Sequence, residues 1–140
     1  MSEQQNSQPT PDAGPGYLRI GQLAKRTGVS PELLRAWEQR YGLLQPTRTA
    51  GGFRLYSAAD EARVTVADAY EFLAQRWTPG DRIFMFGVGR GAYCARELTR
   101  LLGIIGLVAN RSDDLLDYVL ATFVLPRTHR SPQDWRRVNR

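Results

Sequence analysis

"GVSPELLRAWEQRYGLLQPTRTAGGFRLYS", Gly28 to Ser57, is the stretch whose reading decides the fold of this chain. Ser30 is a good helix N-cap, Pro31 suits the first helical position, and the Glu32 carboxylate favours the positive end of the helix dipole. Gly42 and Pro46 place the end of that helix near Tyr41. Upstream, "YLRIGQLAKRT" sets Leu18, Ile20, Leu23 and Ala24 at helical spacing, which predicts a shorter helix before the Gly28 turn. Downstream, Gly51-Gly52 lies between two short arms, a hairpin signal. Two helices and a hairpin make a winged helix-turn-helix pattern.

The chain has 140 residues, a net charge of +5 and a pI near 9.9, so an anionic partner is expected. Its one cysteine, Cys94, excludes an intramolecular disulfide and any multi-cysteine metal site, and a reducing cytoplasm is the compartment that fits. "LLGIIGLVA", Leu101 to Ala109, is the longest apolar run and falls well short of the roughly 20 residues that span a membrane. No membrane span and no secretory signal are expected. Residues 1–16 are rich in Gln, Ser, Pro and Gly, and a disordered tail is expected there.

An arginine-bearing helix that follows a tight turn is suited to the major groove of double-stranded DNA, and Arg35, Trp37 and Arg40 are the side chains expected to enter it. Arg48 and Arg54 flank the hairpin tip, where Phe53 and Tyr56 are expected to pack on sugars. Beyond the hairpin, Ser57 with Asp60 caps another helix whose face would carry Val66, Ala69 or Tyr70, Leu73 and Trp77. "TPGD", Thr78 to Asp81, ends it. The pattern then predicts a strand at Arg82 to Phe86, a glycine turn, a helix at Ala92 to Leu102 and a second strand or a loop. An amphipathic segment, Asp113 to Phe123, precedes a basic tail. The fold class expected is mainly α with a small β component: the winged helix-turn-helix, then a partial β-α(-β) fragment.

In "IFMFGVGRGAY", Ile83 to Tyr93, Gly87 and Gly91 fill the outer places of the glycine-x-serine-x-glycine nucleophile elbow, and Gly89 stands in the serine's place. Acyl transfer by that route needs a hydroxyl, a histidine and a carboxylate in order, and Gly89 has nothing to attack with. The sole histidine, His129, is too close in sequence to the elbow to serve. "GVGRGA", with Arg111 and Asp113 beyond it, also satisfies a dinucleotide-binding spacing, but one strand-helix-strand unit cannot make the crevice. A tight turn with close backbone packing is the favoured reading of the three glycines.

Ile20 to Ser57 resembles the DNA-binding domain of MerR-type transcriptional regulators, and "LRAWEQRYGLL" is similar to the branch found in cobalamin-linked light-responsive repressors. The resemblance implies transcription regulation through double-stranded DNA. By position, Ser30, Arg35 and Trp37 match the recognition helix, and Arg48, Arg54 and Tyr56 match the wing. A homodimer is expected, although the long dimerising helix of that family is not evident. Neither a cysteine cluster nor a cobalamin-binding histidine is present, so no cofactor is expected and the small-molecule effector is unknown.

Ala69 to Val108 resembles the α/β-hydrolase domain of phospholipase-type effectors associated with type VI secretion, where the elbow reads "GFSRGAY", and a weaker likeness continues to about residue 138. Residues 17–62 are thus expected to form the DNA-binding domain, and 63–140 a truncated, non-catalytic hydrolase-like segment with a basic tail. The rival reading is an esterase-type hydrolase fragment or lipid-binding module, degenerate at Gly89. A strand lifted from a larger sheet would leave "IFMF" and "LLGIIGLV" uncovered, to pack on Val66 to Trp77 or on a second copy.

Overall fold

A computed structural model describes residues 16–108. Four helices and one small sheet follow in order: α1 (Ile20–Thr27), α2 (Pro31–Tyr41), β1 (Thr47–Arg48), β2 (Arg54–Leu55), α3 (Ala58–Arg76) and α4 (Arg90–Ile105). The mainly helical architecture with a small β component is the one the sequence predicts. Expected features in residues 1–15 and 109–140, including the amphipathic segment, His129 and the basic tail, lie outside the described residues.

Local chemistry sets each boundary. The Ser30 hydroxyl accepts the Leu33 N–H at 3.2 Å and Pro31 opens α2, while Gly42, at φ 60°, closes it by donating to the Glu38 carbonyl. Glycine takes that left-handed conformation without the steric penalty of a Cβ. The hairpin pairs Thr47 with Leu55 and Arg48 with Arg54, antiparallel. Leu18 and Tyr56 then exchange both backbone hydrogen bonds at 2.8 Å, so the segment entering α1 is clamped to the base of the hairpin.

Leu23, Val29, Leu34, Trp37, Leu43 and Leu44 fill the space between α1, α2 and the loop that follows. The same hydrophobic cluster continues through Val64, Val66, Ala67, Tyr70 and Ala74 of α3 to Leu98 and Leu101 of α4. α3 is therefore the spine, contacting α1 on one side and α4 on the other.

Asp60, the buried charged group of this core, fixes α3 to the rest. One carboxylate oxygen accepts the Gln45 N–H at 2.9 Å and an Arg63 guanidinium N–H; the other accepts the Ser57 N–H and hydroxyl, each at 2.8 Å. Arg63 also donates to the Leu43 carbonyl at 2.9 Å. Burial pushes the carboxyl pKa up, but the Gln45 and Ser57 N–H groups, the Ser57 hydroxyl and the Arg63 charge together outweigh it and hold the group below its ordinary range.

The structure corrects the expected strand at Arg82 to Phe86. Those residues are neither helix nor strand, because the sheet among the described residues lies in the hairpin and offers them no neighbour to pair with. Phe86 and Val88 are almost fully exposed, and only Met85 of this run packs against the core. Helix α4 spans Arg90–Ile105, longer than expected at both ends. Its apolar face is covered by α3, one of the two packings that the sequence suggested. The Tyr70 hydroxyl donates to the Gly106 carbonyl at 3.1 Å and accepts the Val108 N–H at 3.2 Å, anchoring the chain after α4.

A carboxyl whose pKa is lowered by folding contributes stability above its unfolded value, about 3.9, and loses that contribution as pH falls through the folded value. Asp60→Asn should therefore destabilise the fold by roughly 3 kcal/mol at pH 7, as expected for breaking a buried pair. Urea unfolding should show the difference from wild type shrinking as pH is lowered from 5 towards 2.

Candidate nucleic-acid interface

Helix α2 and the hairpin meet at one acidic side chain. Glu38 accepts the Arg54 Nε–H through Oε1 and the Tyr56 hydroxyl through Oε2, both at 2.9 Å. Arg54 stays partly exposed, whereas Tyr56 is fully buried. Burial first, then the hydrogen bond and charge of Glu38, push the Tyr56 phenol far above its usual pKa, so it remains a neutral donor. The half-exposed ion pair itself contributes only about 0.2–1 kcal/mol to stability. Its effect is chiefly geometric: it sets where the hairpin lies against α2.

Above this junction is a cleft of about 220 Å³ lined by Arg19, Ile20, Arg35, Gly52, Phe53, Arg54 and Tyr56. Three guanidinium groups border it, and Arg19 stacks over the exposed Phe53 ring at 4.7 Å. Arg35 is exposed on α2 and only loosely paired with Glu32, at 3.9 Å. Guanidinium forks around an open cleft suit phosphate oxygens, which they bind by charge-assisted hydrogen bonds.

Not every expected site residue lies here. Arg35, Phe53 and Arg54 line the cleft, and Arg48 sits nearby on β1, donating to the Gly52 carbonyl at 3.3 Å across the tip. Ser30 spends its hydroxyl on the α2 cap. Trp37 is corrected: its ring is 97% buried, because it falls on the same apolar face as Leu34, and a ring inside the core cannot enter a groove. Tyr56 is likewise corrected as a sugar-packing residue, since its ring is enclosed and its hydroxyl is held by Glu38. Arg40 is exposed but sits about 140° around α2 from Arg35 at 100° per residue, so the two do not share a face.

Arg19 and Glu38 are the residues sequence reasoning missed. Arg19 is the N-cap position of α1 and meets Phe53 only through the fold. Glu38 takes partners 16 and 18 residues away, beyond any helical spacing rule.

Beyond α3, Gly87, Gly89 and Gly91 form the turn into α4. A Cβ at Gly87 would lie 2.4 Å from the Gly91 carbonyl oxygen, so only glycine fits there. Gly89 is the N-cap at φ 57° and ψ −120°, a backbone conformation that L side chains rarely adopt, while a Cβ there would meet open space. The turn is thus strained at residue 89 and carries no hydroxyl there. Cys94, nearby in α4, has its thiol pKa raised by burial and by the Glu61 charge, which disfavours the nucleophilic thiolate. Glu61 ties this end to α1, pairing with Arg26 at 3.3 Å and Arg90 at 3.2 Å. No group of three or more metal-ligating side chains occurs among the described residues.

Residues 48–139 match the family described as type VI secretion, phospholipase effector Tle1-like, catalytic domain, and residues 19–56 match the MerR family regulatory protein. The two matches overlap on the hairpin. Among curated proteins, the HTH-type transcriptional regulator MlrA of Salmonella typhimurium is 51% identical over 45 residues, covering 32% of this chain and 18% of that protein. The HTH-type transcriptional repressor CarH of Myxococcus xanthus is 52% identical over 44 residues, 31% of this chain and 15% of its own. The regulator ZntR of Escherichia coli is 44% identical over 46 residues, 33% of each chain. This chain therefore spans a third or less of these relatives. No solved structure matches.

Gly87→Ala should destabilise the fold by about 1–3 kcal/mol, the usual range for forced overpacking. Gly91→Ala, with open space at its Cβ and a helical position, should be neutral or stabilising. Denaturant midpoints of the two variants give the comparison.

Proposed function

Because the chain belongs to the Tle1-like phospholipase effector catalytic-domain family through its larger matched segment and carries a MerR match before it, we propose that it is a DNA-binding regulator braced by a non-catalytic hydrolase segment. In this reading α1, α2 and the hairpin are a winged helix-turn-helix. α2 presents Arg35 to the major groove, and the hairpin carries Arg48, Phe53 and Arg54 along the adjacent backbone. The observation that carries the proposal is the arginine-bordered cleft between α2 and the hairpin tip. The curated relatives bearing regulator names match this same short stretch and support it. α4 then serves the reading module by covering α3. A homodimer on two half-sites in the cytoplasm completes the proposal, since one module of this size makes a small interface.

Binding to mixed-sequence duplex DNA should weaken linearly in log affinity with log salt, and Arg35→Ala should reduce the slope by about one unit. Absence of wild-type binding at low salt sinks the regulator reading.

The elbow geometry favours one second reading, an esterase-type or lipid-binding module. It requires a nucleophile, and the described residues hold neither a hydroxyl at residue 89 nor a histidine. Wild type and Gly89→Ser are both expected to leave a chromogenic short-chain ester unhydrolysed above background. Turnover by the wild type would establish the hydrolase reading in place of a non-catalytic brace.

A further inference from the structure

Glu38 is an acid set against a cleft that three arginines border. Both of its oxygens are occupied, one by the Arg54 side chain of β2 and one by the Tyr56 hydroxyl that follows it. Arg54 borders the cleft with Arg35 and Arg19, so the carboxylate holds one of the three cations there by its Nε–H. Backbone bonds between Leu18 and Tyr56 fix the base of the hairpin, but the tip near Gly52 is secured mainly by Thr49 and Arg48 within the hairpin itself. The Glu38 contacts join two hairpin side chains directly to α2.

We propose that Glu38 is a positioning residue for sequence discrimination: it holds Arg54 at a fixed distance from Arg35 and keeps it from engaging phosphates in arbitrary registers. This rests on the DNA-binding reading above. A cation with a fixed partner meets phosphates only where the duplex is seated correctly, whereas a released arginine adds to binding on any sequence. Phosphate contacts by themselves carry no sequence information, so restraining one raises the ratio of specific to non-specific binding.

The test uses the full chain and two duplexes, one enriched by the wild type from a random-sequence pool and one scrambled from it. Glu38→Gln should tighten binding to the scrambled duplex and lower the enriched-to-scrambled ratio about tenfold. Asp68→Asn removes the same unit of charge from the exposed face of α3, away from the cleft arginines, and should leave the ratio unchanged. Arg54→Ala approaches the pair from its exposed side and should also lower the ratio, where a simple phosphate contact would weaken both duplexes equally. An unchanged ratio in Glu38→Gln, equal losses on both duplexes in Arg54→Ala, or the same fall in Asp68→Asn overturns the proposal while leaving DNA binding intact. Failure of the wild type to bind any duplex overturns the DNA-binding reading, and the proposal with it.

Discussion

The buried Asp60 carboxylate is the constraint on which the arrangement depends. A charge in the core is tolerated only when its oxygens are satisfied, and here the partners come from three places: the loop after α2, the residue that ends the hairpin, and the next turn of α3. Satisfying one side chain therefore fixes the angle at which the long helix leaves the hairpin. That angle and the apolar face of α3 together set its contacts with α1 and α4.

The two sequence matches meet within a continuous hydrophobic cluster rather than across a linker. Leu98 and Leu101 of α4 belong to the same cluster as Leu23 and Trp37, linked through α3. Glu61 adds a polar tie, holding Arg26 of α1 and Arg90 of α4. A helix that resembles part of an enzyme is thus used as a wall of the module that carries the arginine cleft. Its own sequence contributes a packing face, and the packing partner is the helix next to the hairpin.

Legibility in the sequence followed the range of the forces involved. The caps of α2 and α3, the Gly42 stop and the Gly51-Gly52 hairpin were readable because each depends on residues within a turn of one another. The sequence suggests a strand at Arg82 to Phe86 that does not form, because a strand depends on a neighbour and a short apolar run does not reveal whether one is present. Arg35, Phe53 and Arg54, cations and an aromatic near a turn, do line the cleft. Trp37 and Tyr56 were assigned outward because their residue types suit a groove, yet helical phase and the Leu18 bridge turn both inward. Arg19 and Glu38 were missed because only tertiary proximity gives them a role.

The close approach of Gly87 to the Gly91 carbonyl has a consequence for how such motifs persist. A methyl group at residue 87 collides with main chain whatever stands at residue 89, so the need for glycine there comes from folding and is indifferent to turnover. The backbone requirement at residue 87 and the chemistry at residue 89 are therefore separable, and Gly91, with open space at its Cβ, is bound by neither. A glycine at residue 87 thus reports the path of the backbone, and only the residue at 89 reports on chemistry.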